Sequence, residues 1–480
     1  MFNPRSSLLA IALGSAQCSV AGAQARPPAQ NPLTAAIDSR APAYTAVARR
    51  IWEFAEVGYQ EEKSSALLQE QLRGAGFTVE SGVAEMPTAF VATYGSGKPV
   101  IAIIGEFDAL PGLSQDAVPT RKVLAEGGPG HGCGHHLFGT ASVAAAVAVK
   151  DWLASSRRSG TLKVLGTPAE EGGGGKIYMI RAGLFQDVDA VIAWHPGDLN
   201  QVTRATTLAN NSAKFRFKGL SAHAAAAPEA GRSALDGVEA MNTMVNLMRE
   251  HVPAETRIHY IITSGGGAPN VVPDFAEAYY YARHSDMRVL DGIWDRVLNA
   301  AKGAALGTGT EVEFELVNSV YNVMPNDALA DVMQRALERV GGFAYTAEER
   351  AFADQIRTSL TGTLPPADAA GRVYPAEVGL SSGSTDMGDV SWVVPTVQLS
   401  AATWVPGTPA HSWQAVAAGG MSIGSKGMIV AAKTMALTAQ DLFTNPGELT
   451  RARAEFDRRL GGFVYKSRVG DRKPPLDYRK

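Results

Sequence analysis

The sequence GHGCGHH, residues 130–136, concentrates imidazole and thiol side chains in one short loop. It follows the apolar run PVIAIIGE, residues 99–106, which predicts a buried strand, and it is followed by an Ala/Val-rich run at 136–152 that predicts a helix. A strand, a ligand-rich loop and a helix in this order are typical of an α/β fold, in which ligands gather at the carboxyl ends of strands. Nitrogen, sulfur and carboxylate donors at such a position are what a hydrolytic metal site requires.

Other predicted strands of this sheet also end at polar side chains. Apolar runs at 161–166 and 190–195 predict strands, and strands that alternate with helices predict a mostly parallel sheet with helices on both faces. Because parallel strands end at one edge of a sheet, residues far apart in sequence are expected to converge there. The side chains expected at this edge are Asp108, Cys133, His135, His136, Glu170, Glu171 and His195, with His411 joining them after a later strand.

The hydropathy pattern changes near residue 210. The run SAKFRFKG, residues 212–219, alternates between apolar and basic side chains, which predicts a strand with one wet face. A helical run at 233–252, two strand-like runs, a helix over about 289–305 and the run TEVEFELV follow. The order β-α-β-β-α-β is that of a ferredoxin-like unit, so an α+β domain is expected to be inserted into the α/β domain.

The sequence therefore divides into four expected parts. These are a signal peptide at 1–25, the first part of the catalytic domain at 26–210, the inserted domain at 211–321 and the second part of the catalytic domain at 322–480.

Local patterns toward the two ends of the sequence predict further elements. Residues 26–41, rich in Pro, Ala and Gln, predict a flexible lead-in. Residues 43–75 predict a helical region, and residues 424–443 and 446–460 predict two closing helices.

The composition limits the class of protein. Apolar residues make up 45% and charged residues 19% of the 480-residue chain, which is ordinary for a soluble globular protein. The formal net charge of −3 gives no indication of a nucleic acid or an anionic membrane surface as partner. No apolar run approaches the ~20 residues that span a bilayer, so no membrane partner is expected.

The first residues have the features of a secretory signal. Arg5 supplies a positive charge, LLAIALG at 8–14 an apolar core, and Ala23-Gln24-Ala25 a small-residue cleavage pattern. We expect cleavage after Ala25 and a periplasmic or secreted mature protein, with a disordered tail as the alternative. A lipoprotein anchor at Cys18 is disfavoured because Gln17 fits poorly before it.

After such a cleavage, Cys133 is the remaining cysteine. Exported proteins usually pair their cysteines in disulfides, and a lone thiol has no partner within the chain. The flanking histidines favour Cys133 as a thiolate metal ligand. An ordinary buried cysteine is the alternative.

Glycines surround the adjacent carboxylates of Glu170 and Glu171 in GTPAEEGGGG. Two neighbouring carboxylates repel when both are ionised without a cation, and one metal ligand plus one proton shuttle removes that conflict. A solvated acidic turn is the alternative. His195 and His411, each taken alone, are equally compatible with structural histidines that only form hydrogen bonds.

The motifs form a set that extends over nearly all of the mature chain. They are WEFAEVGYQEEKSSALL (52–68), MPTAFVATYGSGKPVIAIIGEFDALPGLSQ (86–115), GPGHGCGHHLFGTA (128–141), GTPAEEGGGGK (166–176), AHAAAAPEAGRSALD (222–236), GGGAPNVVPDFAEAYYYAR (265–283) and GSTDMGDVSW (383–392). This set resembles the dinuclear amidohydrolase/aminoacylase group of metallopeptidases, which includes glutamate carboxypeptidases and plant auxin-conjugate hydrolases.

The resemblance implies hydrolysis of an amide bond by metal-activated water, on p-aminobenzoyl-glutamate or similar N-acyl amino acids. It implies two divalent metal ions per chain, Mn²⁺ or Zn²⁺, with Cys133 between them, Glu170 as general base and Asp108 as the acid that orients a ligand. His136 is left unassigned because many relatives have Asp or Asn at this position. The implied metal ligands are Cys133, His135, Glu171, His195 and His411.

The resemblance also implies that the inserted domain is a lid through which two chains form a homodimer. His223 falls on a histidine that reaches the active site of the partner subunit. Asn270 and Arg283 fall on lid positions that contact the substrate, and Arg283 suits a substrate carboxylate because of its forked geometry. A second, different hydrolase subunit is a further possible partner.

Three alternatives stay open at this point. The chain is a periplasmic N-acyl-amino-acid deacylase or dipeptidase of different specificity, or a non-catalytic regulatory or binding subunit on a hydrolase scaffold. A structural zinc protein is the third and is disfavoured, because structural sites are usually closed Cys/His sets without spare carboxylates.

Overall fold

The loop at 130–136 lies between a central strand and a buried helix of the larger, α/β part of the molecule. The computed structural model describes residue 1 and residues 31–479. The predicted signal peptide, with its cleavage site after Ala25, and Cys18 lie outside the described residues. From Pro32 onward the chain packs as one unit.

The regular elements alternate along the chain as follows. The α-helices are α1 (Pro32–Phe54), α2 (Glu62–Gly74), α3 (His135–Ser156), α4 (Gly175–Arg181), α5 (Ala234–Met248), α6 (Met287–Thr308), α7 (Asp327–Val340), α8 (Ala347–Arg357), α9 (Met387–Ser391), α10 (Trp413–Gly419), α11 (Ser422–Thr444) and α12 (Pro446–Leu460). The strands are β1 (Thr78–Ser81), β2 (Phe90–Ser96), β3 (Val100–Gly105), β4 (Gly160–Gly166), β5 (Ala190–Gly197), β6 (Gln201–Thr203), β7 (Ala209–Lys218), β8 (Arg257–Ser264), β9 (Phe275–His284), β10 (Glu311–Val320) and β11 (Thr396–Ala402).

A seven-stranded sheet forms the centre of the α/β part, in the order β1-β2-β4-β3-β5-β11-β6. The four neighbouring strands β4, β3, β5 and β11 are parallel, and the outer strands pair antiparallel. Strand β3 is buried along its whole length, as its unbroken apolar run predicts. The parallel strands therefore end at one edge, and the predicted site residues follow them there.

Helix α3 is the main core helix and packs against β3, β4, β5 and the helices α1 and α11. Its length and apolar composition are sufficient to cross a bilayer, so the expectation that no apolar run approaches this length was wrong. In the structure 78% of its apolar window is buried inside the protein, as in a core helix. The helices α10 and α11 pass the same test only as one bent pair.

A second, four-stranded antiparallel sheet has the order β10-β7-β9-β8. Its elements follow the chain order β7-α5-β8-β9-α6-β10, the order expected for a ferredoxin-like unit. Alternate residues of β9 are buried against α5 and α6, and this sheet has a hydrophobic core of its own. The predicted fold class, a mostly parallel α/β sheet plus an inserted α+β unit, is confirmed, while the domain boundaries at 210 and 321 stay predictions.

The N-terminal helical region differs from the sequence-based expectation. Helix α1 already begins at Pro32, within the predicted flexible lead-in. The predicted helical region at 43–75 is broken between Phe54 and Glu62, because Ala55 and Tyr59 have positive φ angles of 44° and 63°. Residues in this break contact the strand end next to Asp108, which requires the chain to leave the helix.

Candidate metal centre

The loop before α3 turns sharply at one glycine. Gly134, the residue that precedes α3, has φ 73°, and a Cβ atom at this position would lie 2.7 Å from Cβ of Pro196. Only glycine fits both the left-handed backbone and the close approach. The turn brings Cys133 and His135 together with His195, so that one potential ligand atom of each lies within 4.8 Å of the others.

Asp108 connects two of the predicted ligands. The Nδ1–H group of His135 donates to Oδ1 of Asp108 at 2.8 Å, and the Glu171 N–H donates to Oδ2 at 2.9 Å. Burial opposes a charge on His135, but Asp108 and Glu106 outweigh that effect and raise the pKa of His135 to about 10. Asp108 therefore fixes the ring of His135 with its Nε2 atom toward the site.

The ring of His195 is held, like that of His135, by a hydrogen bond from Nδ1, but to a different partner. Its Nδ1–H group donates to the Pro196 carbonyl at 2.7 Å, which leaves the Nε2 lone pair available to a metal. Burial lowers the pKa of His195 to about 4, and a neutral imidazole is the form that binds metals.

A second cluster joins the late histidine to the loop. Nε2 of His411 lies 3.0 Å from Sγ of Cys133 and 3.4 Å from Oε1 of Glu171. The backbone N–H of His411 donates to the Gly132 carbonyl at 3.0 Å, which holds the two loops together. Because the His411 side chain is 55% exposed, this cluster opens toward solvent.

The two clusters have the chemistry and the spacing of two cation positions. Cys133, His135 and His195 form one group, and Cys133, Glu171 and His411 form the other, so Cys133 belongs to both. Within the described residues, Nε2 of His135 and Oε1 of Glu171 are buried without a hydrogen-bond partner, although each lies at ion-pair distance from another group, Oε2 of Glu106 at 3.2 Å and Nε2 of His411 at 3.4 Å. Burial and the nearby Glu171 raise the pKa of the Cys133 thiol, and a cation would reverse this effect. The donor set therefore fits divalent metal ions.

The carboxylate of Glu170 lies in a third group, with Glu106 and His135, whose ligand-type atoms also lie within 4.8 Å of one another. Burial, together with the charges of Glu106 and Glu171, raises the pKa of Glu170 well above its usual value. A carboxyl group with a raised pKa beside a metal site is suited to accept and return a proton.

A buried ionic cluster behind Glu170 was not predicted. Nζ of Lys176 lies 2.8 Å from Oε1 of Glu106 and 2.5 Å from Oδ1 of Asp386, and all three side chains are at most 1% exposed. The Lys176 N–H also donates to Oδ2 of Asp386 at 3.0 Å. Since Lys176 is the second residue of α4, these bonds fix the helix that follows the Glu170–Glu171 loop.

The three predicted lid residues do not join these clusters within one chain. In the described part of the chain, His223, Asn270 and Arg283 form no hydrogen bond or ion pair with the predicted ligands. His223 and Asn270 lie close together, because the Ala224 N–H donates to the Asn270 carbonyl at 3.0 Å. Arg283, on β9, lies over the Tyr281 ring at 5.4 Å.

The two remaining histidines of the loop have structural positions. The Nε2–H groups of His131 and His136 donate to the main-chain carbonyls of Ile51 and Gly419, each at 3.1 Å. Both rings are buried and lie 4.9 Å apart. They anchor the loop to helix α1 and to the last residue of α10.

Replacing Asp108 with Asn is expected to lower metal affinity about 10–100-fold. The amide oxygen can still accept one hydrogen bond, but its NH₂ group would face a second N–H donor, either on His135 or on Glu171. Affinity is measured by competition with a chromophoric chelator. Asp295→Asn, at an exposed position of α6, is the matched control, and equal affinities for the two variants would contradict the orienting role.

The chain is similar in sequence to a known peptidase family and to several of its relatives. A model described as peptidase family M20/M25/M40 matches residues 102–367. One of the subunits of p-aminobenzoyl-glutamate hydrolase from Escherichia coli (strain K12) is 42% identical over 447 residues, which cover 88% of this chain and 93% of that protein. Xaa-Arg dipeptidase of Mus musculus is 30% identical over 440 residues, covering 88% of this chain and 91% of that protein.

The fold is also that of a solved structure. The Bacillus subtilis protein YXEP, described as a dinuclear metal-binding peptidase from the M20 family, superposes with a TM-score of 0.57 at 17% identity. The match covers 85% of this chain and 99% of that chain. Both sheets described above therefore belong to one shared architecture.

Proposed function

The chain belongs to peptidase family M20/M25/M40, whose members hydrolyse amide bonds, and we propose that it cleaves p-aminobenzoyl-glutamate or a similar N-acyl amino acid. The observation that carries this proposal is the pair of ligand clusters that share Cys133 beside the Glu170 carboxylate. The E. coli relative supports the choice of substrate through its name and its 42% identity.

Five side chains would hold two divalent cations. Thiolate and imidazole ligands suit Zn²⁺, while the carboxylate also admits Mn²⁺. When bound, such cations lower the pKa of a water molecule toward about 7 and polarise a carbonyl oxygen. The proposed ligands are Cys133, His135 and His195 for one cation, and Cys133, Glu171 and His411 for the other.

Glu170 would carry the proton through the reaction. Its carboxylate accepts a proton from the attacking water as the water oxygen bonds to the amide carbon. The same carboxyl group then gives that proton to the leaving nitrogen as the C–N bond breaks, so that a carboxylic acid and an amine are released. The buried position of Glu170 next to Glu106 favours its protonated form between these two events.

His223 would stabilise the oxyanion from the partner subunit. Its Nδ1 atom accepts the Ala225 and Ala226 N–H groups at 3.2 and 3.1 Å, so the proton of the neutral ring lies on Nε2. The residue is exposed in one chain and its Nε2–H group is free to donate to a second chain. A donor of this kind contributes roughly 10²–10³-fold to the rate.

The test is a substrate screen with residues 26–480, purified and reconstituted with Zn²⁺ or Mn²⁺. The panel contains p-aminobenzoyl-glutamate, N-acyl amino acids and dipeptides, and amine release is measured. Cleavage of the first compound with the highest kcat/KM supports the proposal. No cleavage of any amide by protein that holds two metal ions per chain would overturn it.

The same screen decides between the alternatives. Preference for dipeptides would indicate a dipeptidase, which the similarity to the mouse Xaa-Arg dipeptidase favours as the second candidate. The E. coli relative is named as a subunit, so a second, different subunit is also proposed as a partner. A non-catalytic subunit would hold fewer than one metal ion per chain and release no amine.

We also propose that two copies of the chain pair through their lid units. Strand β8 is a sheet edge with exposed apolar side chains, among them Ile261 at 61%, and Leu247 on the neighbouring helix α5 is 66% exposed. An exposed apolar edge strand is a template for pairing with another chain.

Leu247→Glu is expected to convert a dimer into a monomer, because it places a charge in this apolar surface. Light scattering coupled to size-exclusion chromatography measures the mass. Val378→Glu, at a 72% exposed apolar position outside the lid, is the control and should leave the dimer intact. A monomeric wild-type protein would refute the pairing.

Export is the last part of the proposal. The N-terminal pattern that ends at Ala25 supports a periplasmic or secreted location. The intact mass of the protein recovered from outside the cytoplasm should correspond to a chain that starts at Arg26. Recovery of the uncleaved chain in the cytoplasm would contradict it.

A further inference from the structure

The segment after α12, residues 461–479, runs along the lid unit. Arg468 forms an ion pair with Asp291 of α6. The guanidinium group of Arg472 donates to the main-chain carbonyls of Leu316 and Val317 in β10, each at 2.5 Å. These contacts hold the segment against the lid in a defined position.

The same segment then reaches the loop that carries the glutamate pair. Nε2 of Gln60 donates to the Leu476 carbonyl at 2.8 Å, and the Tyr478 ring meets the Tyr59 ring edge-on with centroids 5.6 Å apart. The Tyr478 hydroxyl donates to the Glu171 carbonyl at 3.1 Å. Residues 476–479 therefore lie beside a proposed metal ligand.

Arg479 is a cation at this position without an acidic partner. Its guanidinium group donates to the Glu171 carbonyl and stacks on the Tyr478 ring, 5.1 Å from the ring centroid. In the described part of the chain it forms no ion pair, and its Nε atom is buried without a hydrogen-bond partner. Arg479 thus lies beside Glu171, one of the three residues of a proposed ligand cluster.

We propose that Arg479 is a specificity residue that binds a carboxylate of the substrate. The inference rests on the proposed function, since the expected amide substrates carry carboxylates. A forked guanidinium group is the side chain best matched to a carboxylate, and this one has no acidic partner among the described residues. The main-chain bond to Glu171 and the stacking on Tyr478 orient the group, which lowers the entropy cost of binding.

The experiment measures binding and turnover separately. Binding is followed by calorimetry in the metal-loaded Glu170→Gln protein, which avoids turnover, with p-aminobenzoyl-glutamate and with its α- and γ-carboxamide analogues. Arg479→Gln in this background is expected to weaken binding of the acid about 10–100-fold. Binding of one carboxamide analogue, the one that lacks the recognised carboxylate, should change less than twofold. Arg479→Lys should retain part of the preference for the acid.

The rival site for the carboxylate is Arg283 on the lid, and Arg283→Gln is the comparison variant. Loss of the acid preference in Arg283→Gln, with Arg479→Gln unchanged, would overturn the inference. An equal loss of affinity for the acid and both carboxamides, with lower metal content or a lower melting temperature, would show that Arg479 only supports Glu171, and would also overturn it. A third outcome separates the two proposals. If the Glu170→Gln protein binds the acid more tightly than its carboxamide and this preference depends on Arg479, while the wild type cleaves no amide, the inference holds and the proposed function fails.

Discussion

Glu170→Gln is expected to lower kcat by about 10²–10⁴-fold while both metal ions and the fold are retained. The amide keeps the shape of the side chain and its place in the group with Glu106 and His135, but it cannot accept a proton from water. KM should change little, because Glu170 acts on the proton in the transition state and is not expected to contribute to binding of the substrate in the ground state. Metal content by elemental analysis and steady-state kinetics are the two measurements.

Glu126→Gln, the same substitution in an exposed loop, is the control and should leave kcat unchanged. Loss of metal from Glu170→Gln would mean that Glu170 is a ligand, and the roles of Glu170 and Glu171 would then be exchanged. A variant that keeps both metal ions and at least a tenth of its kcat would exclude Glu170 as the general base.

Lys176→Met is expected to lower the free energy of unfolding by about 3–5 kcal/mol. The ammonium group is fully buried between Glu106 and Asp386, and its removal leaves Asp386 without a counter-charge and Glu106 with the His135 ring alone. The methionine side chain fills a similar volume, so the lost charge rather than a cavity dominates the effect. Urea denaturation of the metal-free protein measures the change, because bound metal would add its own stabilisation.

The matched control for this variant is Lys218→Met. Lys218 and Glu313 also form a Lys–Glu pair, at 2.8 Å, but both side chains are at least half exposed. We expect no resolvable change in the denaturation midpoint for this variant. Equal effects of the two variants would mean that the ionic cluster of Glu106, Lys176 and Asp386 does not contribute through its burial.

The meeting of the proposed metal ligands could be predicted from the sequence because the fold rule behind it is general. Cys133 follows β3 and His195 lies near the end of β5, and the parallel strands of this sheet end at one edge. The bend at Gly134 has a local cause, a backbone conformation that only glycine adopts freely.

The buried lysine could not be predicted in the same way. Lysine is almost never fully buried unless it is paired, and its partner Asp386 is 210 residues away in sequence. No local pattern connects Lys176 with Asp386 or Glu106. The sequence assigns no role to the loop histidines His131 and His136, and in the structure both donate to main-chain carbonyls.

The segment at 461–479 was missed because its contacts have no periodicity. Arg472, Tyr478 and Arg479 donate to main-chain carbonyl groups, and such acceptors leave no residue-specific signal in a sequence.

The break between α1 and α2 also left no signal in the residue types. It depends on two residues with positive φ, Ala55 and Tyr59, and neither is of a type that favours this conformation.

The order of the ligands along the polypeptide bears on how the protein matures after synthesis. One cluster takes its members from positions 133, 171 and 411, with the whole lid unit synthesised between the second and the third. A nascent or truncated chain that lacks residue 411 cannot complete that cluster. Metal binding to such a site would stabilise only the folded state in which all three residues meet. Bound cations would therefore stabilise only chains that already extend beyond residue 411.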